Sequence, residues 1–181
     1  MFGFLRANPR KAVIDRLHAA IVEASRRPAL YEAEGFPDTF EGRFEALSLH
    51  VLLVLRRLRG LPVPAAEVAQ ELVDDVFAHL EAAMRETGVG DMGVPKKMKK
   101  LGRAFYDRMA KYEDALERGD AGALSAELAR RLGREGGEAK ALADYLLRAG
   151  RDLSGQDLEA ILAGPAFPDA VPNPSPEGIA P

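Results

Sequence analysis

The 181-residue chain contains no cysteine. Structural disulfides, thiolate zinc sites, iron–sulfur clusters and cysteine nucleophiles are therefore excluded. It has only three histidines, and none of them has a serine nucleophile and an orienting group placed around it in the sequence. No window approaches the 18 or so consecutive apolar residues of a transmembrane helix. The N-terminus reaches Arg6 too soon to hold the apolar core of a secretory signal. Strand signals are also missing: there is no sustained period-2 alternation and no Asn-Gly or Asp-Gly hairpin turn. The net charge is only −3, so the chain as a whole is not an electrostatic nucleic-acid binder.

What is present is helical. Apolar residues make up 47% and charged residues 29% of the chain, enough to bury a core without metals or disulfides. Apolar positions recur at helical spacing, with glycine and proline between the periodic segments. A first helix is expected over residues 9–26, with Val13, Leu17, Ala20, Ile21 and Ala24 as its stripe and His18 on its polar side. Residues 28–38 form a connection with room for one helical turn. Thr39 is a plausible N-cap for a second helix over about 39–59. Phe40, Phe44, Leu47, Val51, Val54 and Leu58 follow one stripe there, and Leu49, Leu52 and Leu53 fill the other faces. A helix apolar nearly all round is a central one. His50 shares a stripe with Arg43 and Arg57.

A third helix runs from Pro64 to Glu86 on Val68, Leu72, Val76, Leu80 and Met84. A fourth runs from about Pro95 to Arg118 on Met98, Leu101, Phe105, Met109, Tyr112 and Leu116. Asp120 caps a fifth, to about Leu132. A sixth covers about 138–149, and Ser154 caps a short seventh. The expected architecture is an all-α, compact bundle of six to seven helices. It forms one domain over 1–163, followed by a Pro-rich, disordered tail over 164–181, which holds six prolines. Phe2, Phe4 and Leu5 are expected to dock on the core, with insertion into an anionic membrane surface as the alternative.

Gly88, Gly90 and Gly93 spell G-x-G-x-x-G. The dinucleotide fingerprint needs a strand before it and a βαβ unit around it; a long helix precedes these glycines, so that reading fails. The loop does feed a helix N-terminus, where free N–H groups favour anions, and Lys96 and Lys97 follow it. From Asp91 to Lys111 the net charge is +5, and from Glu67 to Glu86 it is −5. The bland reading is that these two helices neutralise each other or are merely solvated. The functional one is that the basic face meets RNA, anionic lipid or an acidic protein surface. Asp75 and His79 lie at i and i+4, with Glu71 a turn earlier. That spacing could hold a divalent ion, but ordinary helix-surface contacts explain it equally, and no metal site is expected.

Phe40–Glu45 (FEGRFE) opens a Leu-rich helix ending VLLVLRRLRG. ELVDDVF and MRETGVGDMGVPKKMKK follow, and then Phe105, Tyr106 and Tyr112. Together, over about residues 10–150, these segments resemble the ubiquinol–cytochrome c chaperone family, which includes assembly factors for respiratory complex III. The resemblance implies a chaperone and not an enzyme, with no catalytic residues and no small-molecule substrate. It implies that newly made cytochrome b is the client, and that haem belongs to that client and is not a cofactor of this chain. Ribosome, anionic membrane surface and a small assembly partner are the further partners it brings. The expected location is the cytoplasm, with peripheral contact at the inner membrane. Met84, Met92, Met98 and Met109 gather around the loop, and methionine is a soft, adaptable contact residue. The expected client or partner surface is therefore Arg85, Gly88, Gly90, Asp91, Met92, Pro95, Lys96, Lys97, Met98, Lys99 and Lys100. The alternative is an RNA- or ribosome-binding helical module that uses the basic face of the helix starting near Pro95.

Overall fold

The computed structural model describes residues 9–32, 35–86, 92–134 and 138–169. Among these residues there are seven α-helices, one 3-10 turn at Pro28–Leu30 and no strand. The helices are α1 (Pro9–Ser25), α2 (Phe40–Arg59), α3 (Ala65–Glu86), α4 (Val94–Arg118), α5 (Ala121–Arg131), α6 (Lys140–Ser154) and α7 (Leu158–Ala163). The all-α bundle expected from periodicity is the observed fold, and α2 is its centre, packed against α1, α3, α4 and α6. Every residue from Ser48 to Leu55 is buried, so this stretch has no wet face. At about 1.5–3 kcal/mol for each fully buried large aliphatic side chain, α2 is the main source of hydrophobic stabilisation.

Local chemistry sets the helix ends. The Thr39 hydroxyl accepts from the Gly42 N–H at 3.1 Å, capping α2 as expected. Asp120 caps α5 by accepting from the Ala123 N–H. Gly119 closes α4 with φ 64°, a left-handed conformation suited to glycine. Gly42, in the FEGRFE segment, lets the preceding loop fold onto α2. A Cβ there would lie 2.0 Å from the carbonyl oxygen of Pro37, so only glycine fits.

Several expectations need correction. His18 is buried in α1 and not on a polar face. Its neighbours on the helix, Ile14, Leu17 and Ile21, are all buried too. His50 is fully buried, because α6 covers that side of α2. Its Nδ1–H donates to the Ala46 carbonyl at 2.7 Å, and its Nε2 accepts from the Tyr145 hydroxyl at 2.8 Å. Phe40, placed on the core stripe, is 55% exposed; it stands at the first turn of α2, beyond the reach of the packed layers. Helix α6 continues through Gly150 to Ser154, because Gly150 lies against Leu53 of α2 and packing outweighs its poor helix propensity. Ser154 therefore ends α6, and Asp157 caps α7 by accepting from the Ala160 N–H.

The tail expected from residue 164 is packed chain as far as Asp169. Phe167 is buried against His50, ring centroids 5.0 Å apart, and Arg27 donates to the Pro168 carbonyl at 2.6 Å. Residues 170–181 lie outside the described residues, as do Phe2, Phe4 and Leu5.

Two measurements test this account. Gly42→Ala should cost about 2 kcal/mol or more in urea unfolding, since the clash is with backbone that cannot rotate away. Burial pushes the His50 imidazole down from 6.5 to about 4, so the unfolded chain takes up a proton between these values and the folded chain does not. Its contribution to stability is complete above pH 6.5 and declines as pH falls toward 4. The total loss is about 3 kcal/mol. His50→Gln should flatten that part of the stability–pH curve.

Candidate binding groove

The start of α2, the end of α3, the start of α4 and the end of α1 leave two adjoining hollows at one end of the bundle. The larger, about 430 Å³, is lined by Phe40, Phe44, Met84, Leu101 and Ala104, with Lys97, Lys100, Arg108 and Glu41 at its edges. The second, about 290 Å³, lies on the α1 side, lined by Val22, Leu47, Leu80 and Ala83, with Arg26 and Arg43 as its cations. Both share Phe40, Phe44 and Met84. The Phe40 and Phe44 rings are parallel, with an interplanar angle of 2° and centroids 6.5 Å apart. The result is an apolar ridge between two hollows.

One wall is tied to the core by a buried ion pair. Glu45 on α2 is 2% exposed. An isolated carboxylate at such a place is too costly to keep. Arg108 of α4 donates from Nε to its Oε2 at 2.7 Å, and the Tyr112 hydroxyl donates to its Oε1 at 2.6 Å. Burial, and next the neighbouring carboxylate, push the Tyr112 phenol far up, so it stays a donor. The Arg108 guanidinium also lies 4.9 Å from the Phe44 ring centroid, a cation–π contact. Arg131 of α5 packs over Tyr112 at 5.4 Å and bridges Asp107 and Glu127. The same few residues thus neutralise the core and hold the groove's aromatic floor.

The structure separates the sequence-predicted residues. Lys97 and Lys100 line the larger hollow. Lys96, Lys99 and Pro95 are exposed on neighbouring faces of α4, and Met98 is half-buried. Met92 is 97% exposed. Arg85 is exposed and pairs with Glu81 at 2.7 Å. Gly88, Gly90 and Asp91 lie outside the described residues. Of the two bland alternatives, mutual neutralisation of α3 and α4 is not seen, since no ion pair joins them among the described residues, whereas the lysines of α4 are solvated. Glu71 pairs with Arg10 of α1, Asp75 with His18 of α1, and Arg108 with Glu45 of α2. Lys96, Lys97, Lys99 and Lys100 form no ion pair among the described residues, which leaves a concentrated basic edge.

Phe40, Phe44, Arg26, Arg43, Leu80, Leu101 and Arg108 were not singled out from sequence as part of the client surface. The signal for two of them was present, since Phe40 and Phe44 stand one turn apart at a helix start, where the bundle can no longer cover both. Of the rest, Arg43 is on α2, Arg26 follows α1, and Leu80, Leu101 and Arg108 come from α3 and α4, and no local pattern joins them.

The described residues form a helical bundle with an apolar, cation-edged groove at one end. The chain belongs to the ubiquinol–cytochrome C chaperone family, whose model matches residues 32–168. The crystal structure of the Cbp3 homolog from Brucella abortus is similar to it, with 39% identity, a TM-score of 0.78, and coverage of 89% of this chain and 91% of that one. No curated protein matches the sequence.

Arg108→Met should cost about 3–5 kcal/mol, because it strands the Glu45 carboxylate in the core. The double variant Glu45→Gln with Arg108→Met should recover much of that loss in the same urea experiment.

Proposed function

We propose that this protein is an assembly chaperone that holds newly made cytochrome b. In this reading it assists haem acquisition by that client and its incorporation into the ubiquinol–cytochrome c reductase. Family membership supports the general role. The observation that carries the specific reading is the exposed Phe40 ring, seated with the buried Phe44 and Met84 between two apolar hollows, beside lysines that form no ion pair among the described residues. A segment destined for a bilayer offers large apolar side chains, and phenylalanine and methionine accommodate many such sequences without a fixed register. The lysine edge suits acidic residues flanking such a segment, or lipid head groups near it. No helix among the described residues is long and apolar enough to cross a membrane. In this proposal the groove, and not only the loop-and-lysine element, is the client surface, and haem stays with the client.

A second reading, an RNA- or ribosome-binding module, is favoured by the same four lysines together with Tyr106. That ring is 58% exposed on α4 and could stack on a base.

The two separate in a deletion strain. The chaperone reading expects membranes with a large loss of b-type haem in a difference spectrum and normal general translation. Unchanged b-type haem would sink it. Phe40→Asp with Lys97→Glu and Lys100→Glu should fold, since all three side chains are exposed, yet restore less than a tenth of the haem signal. Full restoration would move the client surface elsewhere. Salt-sensitive RNA binding lost on reversing Lys96, Lys97, Lys99 and Lys100, with b-type haem intact, is the result expected of the second reading.

A further inference from the structure

On the same α1 and α3, one turn along from Val22 and Ala83 of the second hollow, three metal-ligating side chains converge from two helices. Asp75 and His79 are one turn apart on α3, as their spacing predicts. The third residue is not Glu71, which is drawn away by Arg10, but His18 of α1. The His18 Nδ1 lies 2.6 Å from Asp75 Oδ2, and the His79 Nδ1 lies 3.3 Å from the same oxygen. The two imidazoles meet edge to face at 4.5 Å. One ligand atom from each of the three residues lies within 4.8 Å of the other two. The His18 and Asp75 side chains are 8% and 15% exposed, whereas that of His79 is 60% exposed. The cluster is therefore rooted in the bundle and open on one side.

We propose that His18, Asp75 and His79 form a site for a divalent transition-metal ion of the zinc class, which clips α1 to α3. Two imidazoles and one carboxylate match the ligand preference of such ions, and not of calcium or magnesium, which take oxygen shells. Ring orientation fits as well. His79 Nδ1 also sits 2.9 Å from the Asp75 carbonyl oxygen, so a proton held there leaves Nε2 free to ligate, the usual support for a metal-bound histidine. Lys11, the cation that faces Asp75, is held by Asp15 at 2.6 Å. Zinc–nitrogen bonds of about 2.0–2.1 Å place tetrahedral ligand atoms roughly 3.3 Å apart. At 2.6 Å the His18 Nδ1–Asp75 Oδ2 contact is a hydrogen bond, so a bound ion would displace its proton and open that pair toward this spacing, while the exposed His79 supplies the third ligand.

A simple hydrogen-bonded cluster would satisfy Asp75 through His18 alone, and would give the exposed His79 no measurable role. The experiment separates the two on that basis. Full-length protein stripped with a chelator is titrated with Zn²⁺ by calorimetry and melted with and without it; Co²⁺ serves as a spectroscopic stand-in. One Zn²⁺ should bind per chain. Near a hundredfold excess over its dissociation constant, the melting midpoint should rise by about 5 °C or more. Co²⁺ should develop the visible absorption of a low-coordinate nitrogen–oxygen site. His79→Gln keeps the buried His18–Asp75 contact, so its metal-free midpoint should match the parent and its response to Zn²⁺ should vanish. Absence of stoichiometric binding, an undiminished response in His79→Gln, or an equal response to Mg²⁺ would each overturn the proposal.

Discussion

The structure hangs on a helix that has no surface. From Ser48 to Leu55 every face of α2 is covered, so each polar group along α2 must find its partner inside. Ser48 returns its hydroxyl to the Phe44 carbonyl, and His50 bridges its own helix and Tyr145 of α6. Glu45 is the demanding case, because a buried carboxylate needs both a countercharge and a full set of donors. Arg108 and Tyr112 supply them from successive turns of α4. That requirement fixes where α4 crosses α2, and so how far apart their ends stand.

The groove follows from this crossing. With α4 anchored at Arg108 and Tyr112, its first turns run past the end of the core, and Phe40 is left exposed while Phe44 and Met84 stay buried beside it. Arg108 serves two masters, neutralising Glu45 beneath and bearing on the Phe44 ring above. The groove floor is thus tied to the core, while Lys97 and Lys100 at its margin are exposed. On the reading proposed above, an apolar floor with a cationic edge accepts a hydrophobic segment of the client and later releases it. Membership in the ubiquinol–cytochrome C chaperone family is in keeping with that division.

Helix number, the central place of α2, the Thr39 and Asp120 caps and the close of α4 at Gly119 were all legible in the sequence. Each depends on spacing or on a side chain bonding within its own turn, and such signals need no knowledge of neighbours. The candidate site was half legible. The run of lysines after Pro95 is visible as composition, but that it forms no ion pair among the described residues is not, because charge balance along the chain left mutual neutralisation of α3 and α4 open. Only in three dimensions do the α3 acids turn to α1 and Arg108 turn to α2.

The sequence by itself determined that this chain forms an all-helical bundle, which helix lies at the centre, and that no cysteine chemistry is available. It did so because hydrophobic periodicity and capping are short-range properties. The tertiary structure alone decided that His18 and His50 are interior, that Phe40 is exposed, that Phe167 closes over the core, and that a groove opens beside Lys97 and Lys100. In each case the deciding partner lies on another helix, tens of residues away. Whether a polar or aromatic side chain is buried depends on what that distant element covers.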